Sequence, residues 1–266
     1  MLRSTVEAAS SPEPGGSQIQ VYQGPGGLFG ETGLTNGQTY HYTLFARDDA
    51  GLWSSRRTVR VTPADTTAPG APSITSPANN SYDRDGAFSV AGTAEPGSRV
   101  DAYEGTVHKG TSIAAAGTGA WTIALTDVAS GRHAYTATAT DAWGNISPGS
   151  APRTVMVDQT KPTVRSISPA SRATGVSTTA NGFATFSEAM HPSTVTRTTV
   201  KLLRRGTRSP VAATVSYDVT RKRATLNPMR ALVKGATYTA TVTRGARDLA
   251  GNPLATTRSW SFTTRR

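Results

Sequence analysis

A chain of 266 residues divides into two or three domains of the usual size of about 100–150 residues, so several small cores are expected rather than one large one. With 36% hydrophobic residues, 17% charged residues and no cysteine, the composition favours strands and turns, and it excludes disulfides, thiolate nucleophiles and cysteine-bound zinc. The net charge of +11 is uneven, because residues 1–160 sum to −4 and residues 161–266, with 18 basic and 3 acidic residues, sum to +15.

The chain carries no sign of a membrane anchor or of an export signal. No apolar run approaches 18 residues, and residues 1–16 lack the apolar core of a signal peptide. We therefore expect no membrane insertion.

Three segments repeat one pattern, in which a glycine turn leads through a tyrosine into an alternating strand that ends at an Asp-x-x-Gly turn. The three segments are residues 34–40, 128–135 and 232–238. The first and third share the spacing L-x-x-G-x-x-Y, whereas the second is looser. The turns begin at Asp48, Asp141 and Asp248, and their separations of 93 and 107 residues match one β-sandwich per repeat.

The repeated pattern has a direct structural interpretation. The tyrosine is expected to open the penultimate strand of a Greek-key sandwich and to bond its hydroxyl to the loop before it. The Asp carboxylate is expected to accept backbone N–H groups of its own turn, which the glycine completes. A last strand is predicted after each turn, near residues 56–61, 152–157 and 258–263.

Strand-like segments bounded by turn residues follow one another along the chain. In the first module only the later strands are found. The second module is predicted to have strands near 72–76, 87–93, 99–104, 110–116, 120–126, 133–140 and 152–157. The third is predicted to have strands near 163–168, 182–187, 198–203, 211–217, 222–226, 236–243 and 256–263. Pro-containing joints at 63–72 and 158–163 are expected to be short and stiff.

These elements predict an all-β chain of tandem β-sandwiches in an elongated array. The predicted modules are residues 1–64, 65–158 and 159–266. Because the first module lacks its opening strands, we expect the chain to be a monomeric segment of a larger exported protein, a fragment or an incomplete reading frame.

Each module resembles a known family. Residues 29–55 resemble the second half of a fibronectin type III domain, and the middle module, through residues 92–98 and 119–122, resembles the tandem bacterial Ig-like domains of surface adhesins. The last module, through residues 186–190 and 248–252, is similar to the Ig-like domain named for S-layer proteins. The resemblance implies spacer or adhesion modules, and a location outside the cell or on the bacterial surface.

No residue pattern typical of an active site is evident. The four histidines lie singly, without a second ligand at helical or hairpin spacing, and neither a G-x-S-x-G nor an H-E-x-x-H motif occurs. We therefore predict that the chain is not an enzyme.

Two sets of carboxylates are predicted to meet at the joints, because the second–third and sixth–seventh strand connections lie at the end of a sandwich where the chain enters. The first set is Asp65, Glu95 and Asp141, and the second is Asp158, Glu188 and Asp248. Hard carboxylate oxygens are ligands that Ca²⁺ takes, and the resemblance to adhesin repeats implies calcium at such joints. The alternative is that each Asp caps its own turn and Glu188 is solvated. Surrounding basic charge makes the second set the weaker candidate.

Basic residues of the last module cluster twice, on either side of a predicted strand. The clusters are Arg204, Arg205 and Arg208, and Arg221, Lys222 and Arg223. They predict binding to anionic polymers through counterion release, and the lack of interleaved aromatic residues argues against specific nucleic-acid binding. The alternative is a solvated basic surface.

We interpret the chain as a non-catalytic extracytoplasmic spacer or adhesion array that presents upstream domains, with cell-wall or host polyanions and glycans as partners. The alternative is an accessory segment of a secreted carbohydrate-active enzyme, which spaces its domains or binds polysaccharide. Trp53 and Trp143 are then the candidates for sugar stacking, unless they pack on the neighbouring joints. A third class, structural S-layer assembly, predicts self-association.

Overall fold

The computed structural model describes all residues, 1–266, as strands and turns with one 3-10 turn at Pro192–Thr194. The residues form two compact units, residues 1–69 with 140–147 and residues 70–139 with 148–266. The predicted all-β fold is confirmed. None of the helical structure has the length and hydropathy that a bilayer crossing requires.

The first unit contains a single four-stranded antiparallel sheet in the order β2-β1-β3-β4. Its strands are β1 (Leu2–Ser4), β2 (Ile19–Gln20), β3 (Tyr40–Leu44) and β4 (Arg57–Val61). The segment before β3 covers one face, because Phe29 packs against Tyr42 and Glu31 accepts the Tyr42 hydroxyl at 2.8 Å. Glu31 also pairs with Arg3 at 2.6 Å. Every residue of β4 is exposed, so this last strand lies at an uncovered edge.

The second unit begins with a two-sheet sandwich. Its strands are β5 (Ser73–Ser76), β6 (Ser81–Asp83), β7 (Phe88–Thr93), β8 (Arg99–Glu104), β9 (Val107–Ile113), β10 (Ala120–Leu125), β11 (Gly131–Thr140) and β12 (Arg153–Val157). The sheets have the orders β10-β7-β5 and β6-β12-β11-β8-β9. Their facing residues form one core, in which Val90, Trp121, Tyr135 and Val155 are buried.

A second sandwich follows in the same unit. Its strands are β13 (Val164–Ser168), β14 (Ala173–Val176), β15 (Gly182–Phe186), β16 (Val200–Arg204), β17 (Ala213–Asp218), β18 (Arg223–Pro228), β19 (Thr237–Val242) and β20 (Arg258–Thr264). The sheets have the orders β13-β15-β18-β17 and β14-β20-β19-β16. Phe186, Met190, Tyr238, Trp260 and Phe262 lie in its core, which shares no residue with the core of the preceding sandwich.

The strands β1 and β2 of the first unit were not predicted from the sequence, and neither were two short strands of the second unit, β6 and β14. Each pairs in parallel with the last strand of its sandwich, β6 with β12 and β14 with β20. The two strands are short, with the sequences SYD and ATGV, and neither contains a fully buried residue. They therefore lack the alternation of buried and exposed positions that identifies a strand in the sequence. The tertiary contact with the last strand, rather than local periodicity, is what makes them strands.

The predicted tyrosine bond forms in two of the three copies. The Tyr40 hydroxyl accepts the Thr35 N–H, and the Tyr238 hydroxyl accepts the Val233 N–H, both at 2.9 Å. The Tyr135 hydroxyl is buried without a hydrogen-bond partner, and burial raises the pKa of Tyr135 to about 12. Tyr135 follows its glycine by four residues instead of three, and it is the fifth residue of β11, whereas Tyr40 and Tyr238 are the first and second residues of their strands.

Removing the hydroxyl should therefore have opposite effects in the two sandwiches. Tyr238→Phe leaves the Val233 N–H without its partner and should destabilise the last module by about 1–2 kcal/mol. Tyr135→Phe is the matched control, and it should be neutral or stabilising because it removes an unsatisfied buried hydroxyl. Chemical denaturation of the full chain measures both, and equal losses in the two variants would contradict the assignment.

Candidate functional site

The Asp-x-x-Gly turns are capped by their own aspartates, as predicted. Asp141 Oδ1 accepts the backbone N–H groups of Trp143 at 2.8 Å and Asn145 at 2.9 Å. Asp248 Oδ1 accepts the Asn252 N–H at 2.8 Å. Partial desolvation acts to raise the pKa of Asp141, but the hydrogen bonds from Asn145 and Trp143 outweigh it and hold this pKa below its ordinary value.

An asparagine after each glycine ties the turn to the joint. Asn145 Nδ2 donates to Asp141 Oδ2 at 2.8 Å and to the Asp65 carbonyl at 3.1 Å. In the last module Asn252 Nδ2 donates in the same way, to Asp248 Oδ2 at 3.0 Å and to the Asp158 carbonyl at 2.6 Å. Sequence reasoning missed both asparagines. The signal was the fifth position of D-x-x-G-N, where the first copy has Leu52.

The second set of predicted carboxylates comes together. Asp158 directly follows β12, Glu188 lies in the loop after β15, and Asp248 opens the turn after β19. Each offers one carboxylate oxygen, and these three oxygens all lie within 4.8 Å of one another. The Asp248 residue is 1% exposed, while the other two are half-buried.

Burial and the two neighbouring carboxylates both disfavour the ionised form of Glu188. Burial, followed by the nearby charges of Asp158 and Asp248, raises the pKa of Glu188 from 4.5 to about 7. Three hard oxygens at one point are donors of the class that Ca²⁺ takes. A divalent cation there would replace the repulsion by attraction.

The members of the first predicted set lie in different surroundings. Asp65 accepts the Thr67 N–H at 2.9 Å, Asp141 is engaged by its own turn, and the Glu95 residue is exposed. Asp65 and Asp141 belong to the first unit and Glu95 to the second. Calcium binding by this set stays a prediction.

The two basic clusters lie at opposite ends of β17, which at about 3.3 Å per residue is roughly 20 Å long. Arg204, Arg205 and Arg208 are exposed, and none of them has a carboxylate partner. At the other end Arg221 pairs with Asp218 at 2.9 Å, Lys222 is exposed, and the Arg223 guanidinium stacks over the Phe183 ring at 4.7 Å. The six residues therefore form two separate sets, and the residues of the first set form no ion pair with a carboxylate.

The two candidate sugar-stacking aromatics have different neighbours. The Arg47 guanidinium lies 5.4 Å from the Trp53 ring centroid, and Trp53 remains 46% exposed. The Trp143 ring lies over Gly37, where an added Cβ would approach the ring to 2.8 Å, and Trp143 is 47% exposed. Neither ring is an isolated stacking platform.

Comparisons with known proteins agree with the sandwich architecture. Residues 158–264 match the family model of the bacterial Ig-like domain. Over 141 residues the chain is 35% identical to Exoglucanase B of Cellulomonas fimi. The matched segment is 50% of this chain and only 12% of the length of that protein.

Two solved structures with similar folds have low overall similarity. The N-terminal part of the bacterial S-layer protein SbsC is 22% identical, with a TM-score of 0.32, over 40% of this chain and 24% of that chain. The fibronectin(III)-like modules of Clostridium thermocellum CbhA are 19% identical, with a TM-score of 0.37, over 73% of this chain and 94% of that chain. Residues 158–264, which contain the second sandwich of the second unit, are thus similar to the bacterial Ig-like domain.

Proposed function

We propose that the chain is a non-catalytic spacer segment of a longer exported bacterial protein, and that it holds neighbouring domains at a fixed spacing. The observation that carries this function is the bonded joint at residues 158–163. The Asp158 carbonyl accepts Asn252 Nδ2, and the Pro162 carbonyl accepts the Ala255 N–H at 2.9 Å, both from the last module. On the other side, Gln159 Nε2 donates to the Asp85 carbonyl of the preceding sandwich at 3.1 Å.

These contacts support a stiff connection between the two sandwiches of the second unit. The proline alone restricts only the backbone of the joint, whereas these hydrogen bonds hold the joint to both neighbouring sandwiches. Stiffness is what a spacer requires and what a simple flexible linker lacks.

Asn252→Ala tests the spacer function directly. We expect the substitution to release the joint and to destabilise the last module by about 1–2 kcal/mol, because two hydrogen bonds are lost, one of them to a carboxylate. Residual dipolar couplings measure the orientation of the two sandwiches. They should fit one alignment tensor in the wild type and two in the variant.

Asn227→Ala is the matched control, since Asn227 lies exposed on β18 of the same module. It should leave the single tensor intact. Independent alignment of the two sandwiches in the wild-type chain would overturn the spacer proposal.

The identity of the neighbouring domain decides in which of two kinds of protein the spacer lies. The first kind is a surface adhesin. The other is an accessory segment of a secreted carbohydrate-active enzyme, which the 35% identity to part of Exoglucanase B supports. A catalytic domain upstream in the full reading frame would favour the enzyme setting, and further tandem repeats would favour the adhesin.

A metal-dependent joint is a second element of the proposal. Asp158, Glu188 and Asp248 would hold Ca²⁺ through their carboxylate oxygens, and the cation would offset their mutual repulsion. The bound ion would then brace the same joint that Asn252 ties.

Binding of anionic polymers by the last module is a third element. Its 18 basic and 3 acidic residues give a strong positive potential, which would attract cell-wall or host polyanions. Retention of the full chain on immobilised heparin at low salt, falling steeply as salt rises, is the expected behaviour.

A further inference from the structure

The outer face of the sheet β14-β20-β19-β16 carries a column of paired hydroxyl groups. Alternate residues of β19 and β20 point away from the core, and they meet as direct cross-strand partners. The hydrogen-bonded pairs are Thr237 with Thr263 at 3.1 Å, Thr239 with Ser261 at 2.8 Å, and Thr241 with Ser259 at 2.9 Å. A pair of hydroxyls that bond to each other still offers one donor and free lone pairs to a ligand.

A turn at the edge of this face makes a groove over the hydroxyl column. Leu203, Thr239 and Ser261 lie along its floor, and the turn formed by residues 204–207 is its wall. The Arg205 N–H donates to the Thr237 carbonyl at 2.9 Å, and the Thr207 hydroxyl donates to the Arg204 carbonyl at 2.8 Å. The wall is therefore fixed to the sheet.

The charge of the groove is not neutralised by the protein. The acidic residues of this half are Glu188, Asp218 and Asp248. Glu188 and Asp248 belong to the joint cluster, and Asp218 pairs with Arg221 at the far end of β17. Arg204 and Arg205, which line the groove, thus retain their full positive charge for a ligand.

We propose that this groove binds an anionic polysaccharide. Arg204 and Arg205 take the carboxylate or sulfate groups, the hydroxyls of Thr239 and Ser261 exchange hydrogen bonds with sugar hydroxyls, and the 37% exposed Leu203 packs against a sugar ring. The groove offers no aromatic platform on which bases could stack, which favours a sugar polymer over a single-stranded nucleic acid. The proposal rests on the proposed polyanion binding and gives it a location and a ligand class.

Two double variants of the full chain, each removing two positive charges, test the location. Arg204→Ala/Arg205→Ala should weaken binding to heparin and to polygalacturonate about tenfold and lower the salt slope by roughly 1–2, as for two lost ionic contacts. Arg221→Ala/Lys222→Ala removes the same charge at the other end of β17 and should change either affinity less than about threefold. Both pairs are exposed, so circular dichroism should show folded protein in each case.

Thr239→Val tests the hydroxyl floor, because valine keeps the shape and removes the oxygen. It should weaken binding of both polysaccharides and leave the binding of inorganic polyphosphate, which has no sugar hydroxyls, unchanged. Equal losses in the two double variants would overturn the groove while leaving general polyanion binding standing. Failure of the wild-type chain to bind either polysaccharide at low salt would overturn polyanion binding itself, and tighter binding of DNA than of both would overturn the ligand class.

Discussion

In calcium-free buffer at pH 8, Glu188→Gln is expected to make the last module more stable than the wild type, and saturating Ca²⁺ is expected to reverse that order. The glutamine keeps the size of Glu188 and removes its repulsion with Asp158 and Asp248. It also removes one of the three carboxylate oxygens that a cation would use. Because the two effects have opposite signs, the ranking of the two proteins changes with the metal.

The sign of the metal-free effect follows from the pKa. Folding raises the pKa of Glu188 from 4.5 to about 7, so the folded state holds the proton more tightly than the unfolded state does. The associated stability is fully present below about pH 4.5, is lost as the pH rises to about 7, and is absent at pH 8. The wild type should therefore lose stability across this interval, and Glu188→Gln should not.

The size of the metal-free effect is limited by solvent. Because Glu188 is only half-buried, screening should reduce the gain to on the order of 2 kcal/mol, or about 8 °C in the melting temperature of a module of this size. Calcium at about 100 times its Kd should stabilise the wild type by about 2.7 kcal/mol. Differential scanning calorimetry in chelator and in calcium gives all four values.

Glu95→Gln is the matched control at the first joint. Its carboxylate is exposed, so the variant should behave as the wild type in both buffers if the second joint is the calcium site. An undiminished calcium response in Glu188→Gln would remove this glutamate from the site, and loss of the response in Glu95→Gln would move the site to the first joint.

The meeting of the three carboxylates at the second joint was predictable from the sequence, because the sandwich topology alone brings their loops together. Alternating strands placed the Glu188 and Asp248 loops at the end where the chain enters, and the structure joins them to Asp158. The role of Asn252 was not predictable, since its bond to the Asp158 carbonyl links residues 94 positions apart. The raised pKa of Glu188 likewise depends on distances and burial that no spacing supplies.

In the fold as well, elements with a local sequence pattern were predictable, and elements that depend on tertiary contacts were not. Strands such as β10 and β19 bury every second residue, and this alternation was visible in the sequence. The short strands β6 and β14 lack it and exist through their pairing with β12 and β20. Tyr135 shows the limit most clearly, because the repeated pattern predicted a bond from its hydroxyl, and the structure leaves that hydroxyl without the bond that the other copies form.

Gly92→Ala should unfold the first sandwich of the second unit. Gly92 lies in β7, the central strand of its sheet, where it faces Trp121 on β10 and Ile74 on β5. A Cβ at this position would lie 1.9 Å from the Ser73 carbonyl oxygen, and the register between β5 and β7 already shifts after Ile74. Relief requires moving backbone that is hydrogen-bonded in the sheet, so we expect a loss of more than about 3 kcal/mol.

Gly117→Ala is the matched control in the same sandwich. An added Cβ at Gly117 meets no atom within 4 Å, and its backbone is not in the left-handed region. This substitution should leave stability unchanged or raise it by about 0.4–1 kcal/mol, because alanine restricts the unfolded chain.

Calorimetry of Gly92→Ala also measures how far the joint couples the two sandwiches. Their cores share no residue, so the transition of the last module should persist after the transition of its neighbour is lost. The bond between Asn252 and the Asp158 carbonyl limits this independence, because Asp158 is itself held by the Asp83 carbonyl of the damaged sandwich. We therefore expect the last module to melt only slightly earlier in Gly92→Ala, and by no more than it does in Asn252→Ala. A larger shift would show that the joint transmits folding energy as well as orientation, and it would contradict the independent folding of the two cores.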